Sequence, residues 1–115
     1  MMESQTIGEM RVLSLTGRLD SINAAETEAA IVAEIRDGAT RLVLDCSGLT
    51  YVSSAGLRVF LVVAKRMREI AGKVVLAGLT PSVKEVFAIS GFLQILTVCE
   101  TREDAIAMCE QGGSR

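Results

Sequence analysis

Short apolar runs alternate with segments of helical period along nearly the whole of this chain, and that alternation most restricts its fold. Residues 10–16 (MRVLSLT) have strand character, with Leu13 and Leu15 two apart among apolar neighbours. Residues 3–7 can pair with them as a hairpin across Gly8, and Gly17-Arg18-Leu19-Asp20 reads as a break. A helix follows, with Asn23 as cap and Glu26 three residues on, in the manner of a capping box. Its expected buried face is Ile22, Ala25, Ala29, Val32 and Ile35, and Gly38 stops it. Residues 41–46 (RLVLDC) are a nearly continuous apolar run, as in a strand covered on both faces, and Ser47-Gly48 reads as a turn. Tyr51 and Val52 then lead into a helix over 54–71, with Leu57, Phe60, Leu61, Ala64 and Met67 as its core stripe and Gly72 as its end. Lys73–Ala77 (KVVLA) is another buried strand. Thr80-Pro81 opens a helix whose apolar face is Val83, Val86 and Phe87, and Ser90-Gly91 closes it. Residues 93–98 hold a last strand. Thr101, with Asp104 three residues on, caps a final helix that turns Ala105, Met108 and Cys109 inward, and 111–115 read as a frayed tail.

Strand–helix alternation of this kind predicts an α/β domain: a mixed, largely parallel sheet of four to five strands with about four helices. The 115 residues fit one domain, 1–115, without a linker or repeat. No apolar stretch nears the roughly 20 residues that span a bilayer, and the start lacks a signal-peptide pattern. A cytoplasmic protein without membrane insertion is therefore expected. Net charge is −2, no long basic run exists, and aromatic residues are 3% of the chain, so direct nucleic-acid binding is not expected.

The chain has no histidine, which removes Ser-His-Asp and Cys-His catalysis and His-based metal sites together. Cys46, Cys99 and Cys109 are odd in number, widely spaced and without a CxxC, so they read as reduced, small buried hydrophobes. A nucleophile pair of Ser54 with Lys65 or Lys84 finds no supporting acid, metal or oxyanion pattern. The sequence thus argues for a non-enzyme, with no cofactor and no metal.

Residues 45–61 (DCSGLTYVSSAGLRVFL) resemble the STAS domain family, with Asp45, Leu49, Tyr51, Val52, Ser54, Gly56 and Leu57 at the family's positions. Gly17-Arg18-Leu19-Asp20 resembles its Gly-x-Leu-Asp block. Gly78-Leu79-Thr80-Pro81-Ser82-Val83 and the segment from Val86 to Phe92 resemble its third strand-to-helix region. The resemblance implies the STAS fold, with helices packed mainly on one face of the sheet. It also implies an anti-sigma factor antagonist. Such a protein binds an anti-sigma factor with serine kinase activity, is released by phosphorylation of a serine at a helix start, and is reset by a serine phosphatase. Ser54 matches that serine, with Ser53 as the second candidate because many relatives carry Asp there. The alternative the family offers is a non-phosphorylated subunit of a lipid-transporting ABC complex or of a stress-signalling assembly.

A helix N-terminus suits such a modification, because its first four N–H groups lack partners within the helix and the dipole is positive there. Ser53 then reads as the cap and Ser54 as the acceptor. The expected partner surface is Asp20, Ser53, Ser54, Ala55, Gly56, Arg58, Val59 and Val62. Val63 extends it and Arg66 lies at its rim. Each has an ordinary reading beside it. Asp20 is also a turn aspartate, Ala55 and Gly56 also permit close helix–sheet packing, and the valines also bury under a neighbouring helix. Asp45 reads as structural, accepting from N–H groups of the following turn. The oligomeric state implied is a monomer or weak dimer.

Overall fold

The computed structural model describes residues 2–112. Five strands form one sheet in chain order: β1 (Met2–Ile7), β2 (Met10–Leu19), β3 (Arg41–Val52), β4 (Lys73–Ala77) and β5 (Thr97–Cys99). β1 and β2 are the antiparallel hairpin expected across Gly8, which takes a left-handed φ of 61°; the other pairs are parallel. Parallel neighbours need crossovers, and α1 (Ala24–Arg36), α2 (Ser54–Glu69) and α3 (Pro81–Ile89) supply them, a short 3-10 turn at Phe92–Gln94 completing the last. A final helix, α4 (Arg102–Gly112), follows β5. Of the tail read as frayed, 111–112 close α4, and 113–115 lie outside the described residues.

Two cores flank the sheet. Leu13, Leu15, Leu42, Leu44 and Leu76 face α1, α2 and α3, where Phe60 and Phe87 meet edge to face at 5.2 Å. Met10, Val12, Val43, Val75 and Ala77 face α4, which brings Ala105 and Cys109. Three helices on one face and one on the other account for the two-sided apolar runs of the central strands.

Several local expectations are corrected. Neither Gly17-Arg18-Leu19-Asp20 nor Ser47-Gly48 interrupts its strand; β2 and β3 continue side by side to the Leu19–Val52 pair, with register shifts after Ser14 and Gly17 absorbing the irregularity. A Cβ at Gly48 would lie 2.7 Å from the Thr16 methyl, so Gly48 is there for strand contact rather than for a turn. α1 turns Ala24, Thr27, Ile31 and Val32 inward, and Ala25 and Ala29 face outward. The last strand is 97–99, not 93–98. At the end of α2 the left-handed residue is Ala71 (φ 57°), while Gly72 is required because a Cβ there would meet the Thr40 carbonyl oxygen at 2.8 Å. Met108, expected inside, is partly exposed.

Candidate functional site

The start of α2 is held by the strand beside it. The Ser53 N–H donates to the Leu19 carbonyl at 2.9 Å, which ties the helix entrance to the end of β2. Ser53 is extended (φ −89°, ψ 179°), and its hydroxyl accepts from the Gly56 N–H at 3.3 Å. It is therefore the N-cap. Ser54, the first helical residue, is exposed, and no described residue hydrogen-bonds its hydroxyl. The first turn of α2 holds no acidic residue, so nothing on the helix offsets the positive end of its dipole.

Asp20 follows Leu19 at the same end of the sheet. Its carboxylate accepts from the Ile22 N–H at 3.0 Å and lies 3.5 Å from the Arg18 guanidinium. Asn23 does not cap α1 with its side chain. Its amide oxygen accepts from the Asp20 N–H at 3.0 Å and its NH2 donates to the Arg18 carbonyl at 2.8 Å, so it fixes the loop that carries Asp20. The turn reading of Asp20 is the one these hydrogen bonds bear out.

The other expected surface residues divide by burial. Arg58 is exposed, and Ala55 and Val62 are half-buried. Val59 is 1% exposed and Val63 is fully buried, both packed in the core on the α1 side of the sheet; they have no side-chain surface to offer a partner. Gly56 is buried too. A Cβ there would sit 2.6 Å from the Leu19 carbonyl oxygen and 3.0 Å from Val52, so its role is close approach of helix to sheet. Gly56→Ala is expected to lower stability by about 1–2 kcal/mol, the overpacking cost exceeding alanine's helix preference. Thermal melting checks this, and an unchanged or raised midpoint contradicts the packing.

Three residues join this end that were not among the expected partner surface: Ile22, Tyr51 and Arg18. Ile22 sits in the loop before α1, 91% exposed, rather than on the helix's inner face. Tyr51 is 42% exposed, with the Arg18 guanidinium 4.2 Å above its ring. β4 pairs with β3 only as far as Asp45, so Tyr51 and Arg18 stand on a two-stranded extension beyond it. A period-two reading carried past Cys46 would have found that extension.

Asp45 is in mid-strand, facing α4. It accepts from the Ser47 N–H at 3.1 Å and the Ser47 hydroxyl at 2.8 Å, and pairs with Arg102 at 3.2 Å. Arg102 also donates to Ser14 Oγ at 3.1 Å and to Gln5 Oε1 at 2.7 Å, so one guanidinium joins three strands to α4. Burial by itself would raise the Asp45 pKa; the Ser47 and Arg102 hydrogen bonds outweigh it and hold the carboxyl below its ordinary value of 3.8. Burial pushes the Cys46 thiol up, with the Asp45 charge adding to the effect, and raises Cys109 to about 11. Both stay protonated, as buried hydrophobes do. Among the described residues, no group of three His, Cys, Asp or Glu could hold a metal ion, and no helix is long and apolar enough to cross a membrane.

An exposed serine thus stands at the start of α2, at the end of the sheet that also carries Asp20. The chain belongs to the STAS domain family, whose model matches residues 1–105. It is 48% identical over 101 residues to the putative anti-sigma factor antagonist BtrV of Bordetella bronchiseptica, covering 88% of this chain and 87% of that protein. The structure of the anti-sigma factor antagonist SpoIIAA in its unphosphorylated form superposes with a TM-score of 0.82 at 26% identity over 100% of both chains. SpoIIAA of Bacillus in the phosphorylated form superposes with a TM-score of 0.74, also at 26% identity, over 94% of this chain and 98% of that one.

Proposed function

We propose that this protein is an anti-sigma factor antagonist of the partner-switching type. In its unmodified state it binds an anti-sigma factor with serine kinase activity and so frees a sigma factor; phosphorylation of Ser54 ends the complex, and a serine phosphatase restores it. The supporting observation is the division of labour at α2. Ser53 is engaged as the cap, whereas Ser54 is exposed, with its hydroxyl unbonded among the described residues. The kinship with proteins named anti-sigma factor antagonists points the same way.

The partner surface in this reading is the end of the sheet around Ser54: Asp20 with Ile22, the Arg18–Tyr51 pair, Ala55, Arg58 and Val62. Phosphate at the helix start is locally tolerated, because free N–H groups and the dipole favour an anion. The protein therefore need not refold; the charge acts on the partner, which has packed against an uncharged serine. Phosphosite mapping after incubation with an anti-sigma factor kinase from the same genome and ATP tests this. Modification of Ser54, lost in Ser54→Ala and retained in Ser53→Ala, is the expected result. Modification confined to Ser53, or none, would overturn it.

A further inference from the structure

Positive charge is concentrated in one stretch of this acidic sequence. Between positions 58 and 73 lie five of the twelve basic residues (Arg58, Lys65, Arg66, Arg68 and Lys73) and one of the fourteen acidic ones, Glu69. Among the described residues none of the five forms an ion pair. One of them, Arg68, lines a shallow groove of about 230 Å³ between the C-terminal half of α2 and the segment entering β5, and Lys73 borders it from β4 with the strand parity of Val75 and Ala77, which face α4. Its wall is mixed: half-exposed Ile95 stands beside Thr97 and Arg68, over the buried Ala64, Met67 and Leu96. Lys65 is exposed one helical turn before Glu69 on the same helix. Arg68 is 14 residues beyond Ser54, about 21 Å along the helix, so this groove is separate from the serine.

The complementary charge is on the same chain. α4 exposes Glu103, Asp104 and Glu110 outward, with Ala107 and the partly exposed Met108 among them. None of these carboxylates forms an ion pair among the described residues. α4 lies on one face of the sheet and α2 on the other, so the two surfaces cannot meet within one molecule.

We propose that the basic groove beside α2 receives the acidic face of α4 from a second copy of this chain. Groove and helix are different surfaces, so the contact is heterologous: each molecule keeps a free groove at one end and a free α4 at the other, and association runs head to tail. An 11-residue helix laid on a shallow groove buries well under the roughly 1,200 Å² of a stable interface. The association is therefore weak, reversible and governed by salt. It stands apart from the serine switch and holds whether or not Ser54 is modified.

Sedimentation equilibrium of the full chain tests it. At about 20 mM salt the weight-average mass is expected to rise roughly twofold above the monomer as concentration reaches the hundreds of micromolar, and to return to the monomer near 0.5 M salt, where the Debye length falls from about 20 Å to about 4 Å. Lys65→Glu/Arg68→Glu and Glu103→Lys/Glu110→Lys, all at exposed positions, are each expected to remain monomeric at low salt. An equimolar mixture of the two is expected to associate again, because each supplies the charge the other has inverted. A wild type that is monomeric throughout, an association that high salt leaves intact, or a mixture that stays monomeric would each overturn the proposal.

Discussion

Arg102→Ala is expected to destabilise the protein by about 2–3 kcal/mol, a drop in melting temperature of roughly 10 °C. The reason lies in what remains. Asp45 has 12% side-chain exposure and loses its only ion-pair partner among the described residues, while Ser14 and Gln5 lose their donor. Ser47 still donates twice to the carboxylate, which keeps the cost below that of a fully buried orphan charge. α4 carries few other polar ties to the sheet, so its docking should loosen first. A double variant, Asp45→Asn with Arg102→Met, removes both charges and is expected to recover more than half of the loss. If Arg102→Ala melts within 2 °C of the wild type, the guanidinium is not what holds α4.

The same pair gives stability an acid limb. The folded pKa of Asp45 is depressed, so its contribution is complete above the ordinary value of 3.8 and disappears as pH falls through the lower folded value. In Arg102→Ala this contribution is reduced, and the pH dependence below about 4 should flatten relative to the wild type. A thiol contribution is absent from this range, because burial raises Cys46, Cys99 and Cys109 alike.

The architecture was legible because each strand–helix unit carried its own punctuation. Gly38, Gly72, Pro81 and Gly91 mark ends that the structure keeps, and Val83 with Phe87 and Ala105 with Cys109 face inward as their spacing implies. What was not legible depends on contacts between distant segments. That Ser47-Gly48 continues a strand is decided by Thr16, more than thirty residues earlier. Alanine-rich α1 has too even a composition for periodicity to choose its inner face, and the sheet chose Ile31 over Ala29. The Ser53–Ser54 pair could be placed at the helix start from sequence, yet deciding which one caps needed the hydrogen bond to the Gly56 N–H. Arg102 was invisible for the same reason: its partners Gln5, Ser14 and Asp45 lie 57 to 97 residues away. Val59 and Val63 could be read either as partner surface or as burial under a neighbouring helix. α1 packs on α2, and both valines are buried in that core.

Ser54→Asp should separate binding from folding, because the two effects have opposite signs. At the first position of α2 a carboxylate meets the positive end of a sixteen-residue helix, whose first turn has no acidic residue, and is expected to stabilise the fold by about 0.3–1 kcal/mol. At a partner interface the same charge must be desolvated, and Arg58, one turn further along α2, offsets only part of that cost. A cost of about 3–4 kcal/mol corresponds to a 10²–10³-fold loss of affinity. Full phosphorylation, at about −1.5 to −2 charge, should lower affinity further still. Ser53→Ala inverts the pattern: loss of the cap costs roughly 1 kcal/mol of stability, and partner affinity changes little. Calorimetric titration of each variant against an anti-sigma factor kinase, beside thermal melts, reads both quantities. A Ser54→Asp protein that melts no lower than wild type and binds within threefold of it would remove Ser54 from the switch. One that melts higher and no longer binds shows a charge acting on the partner rather than on the fold that presents it.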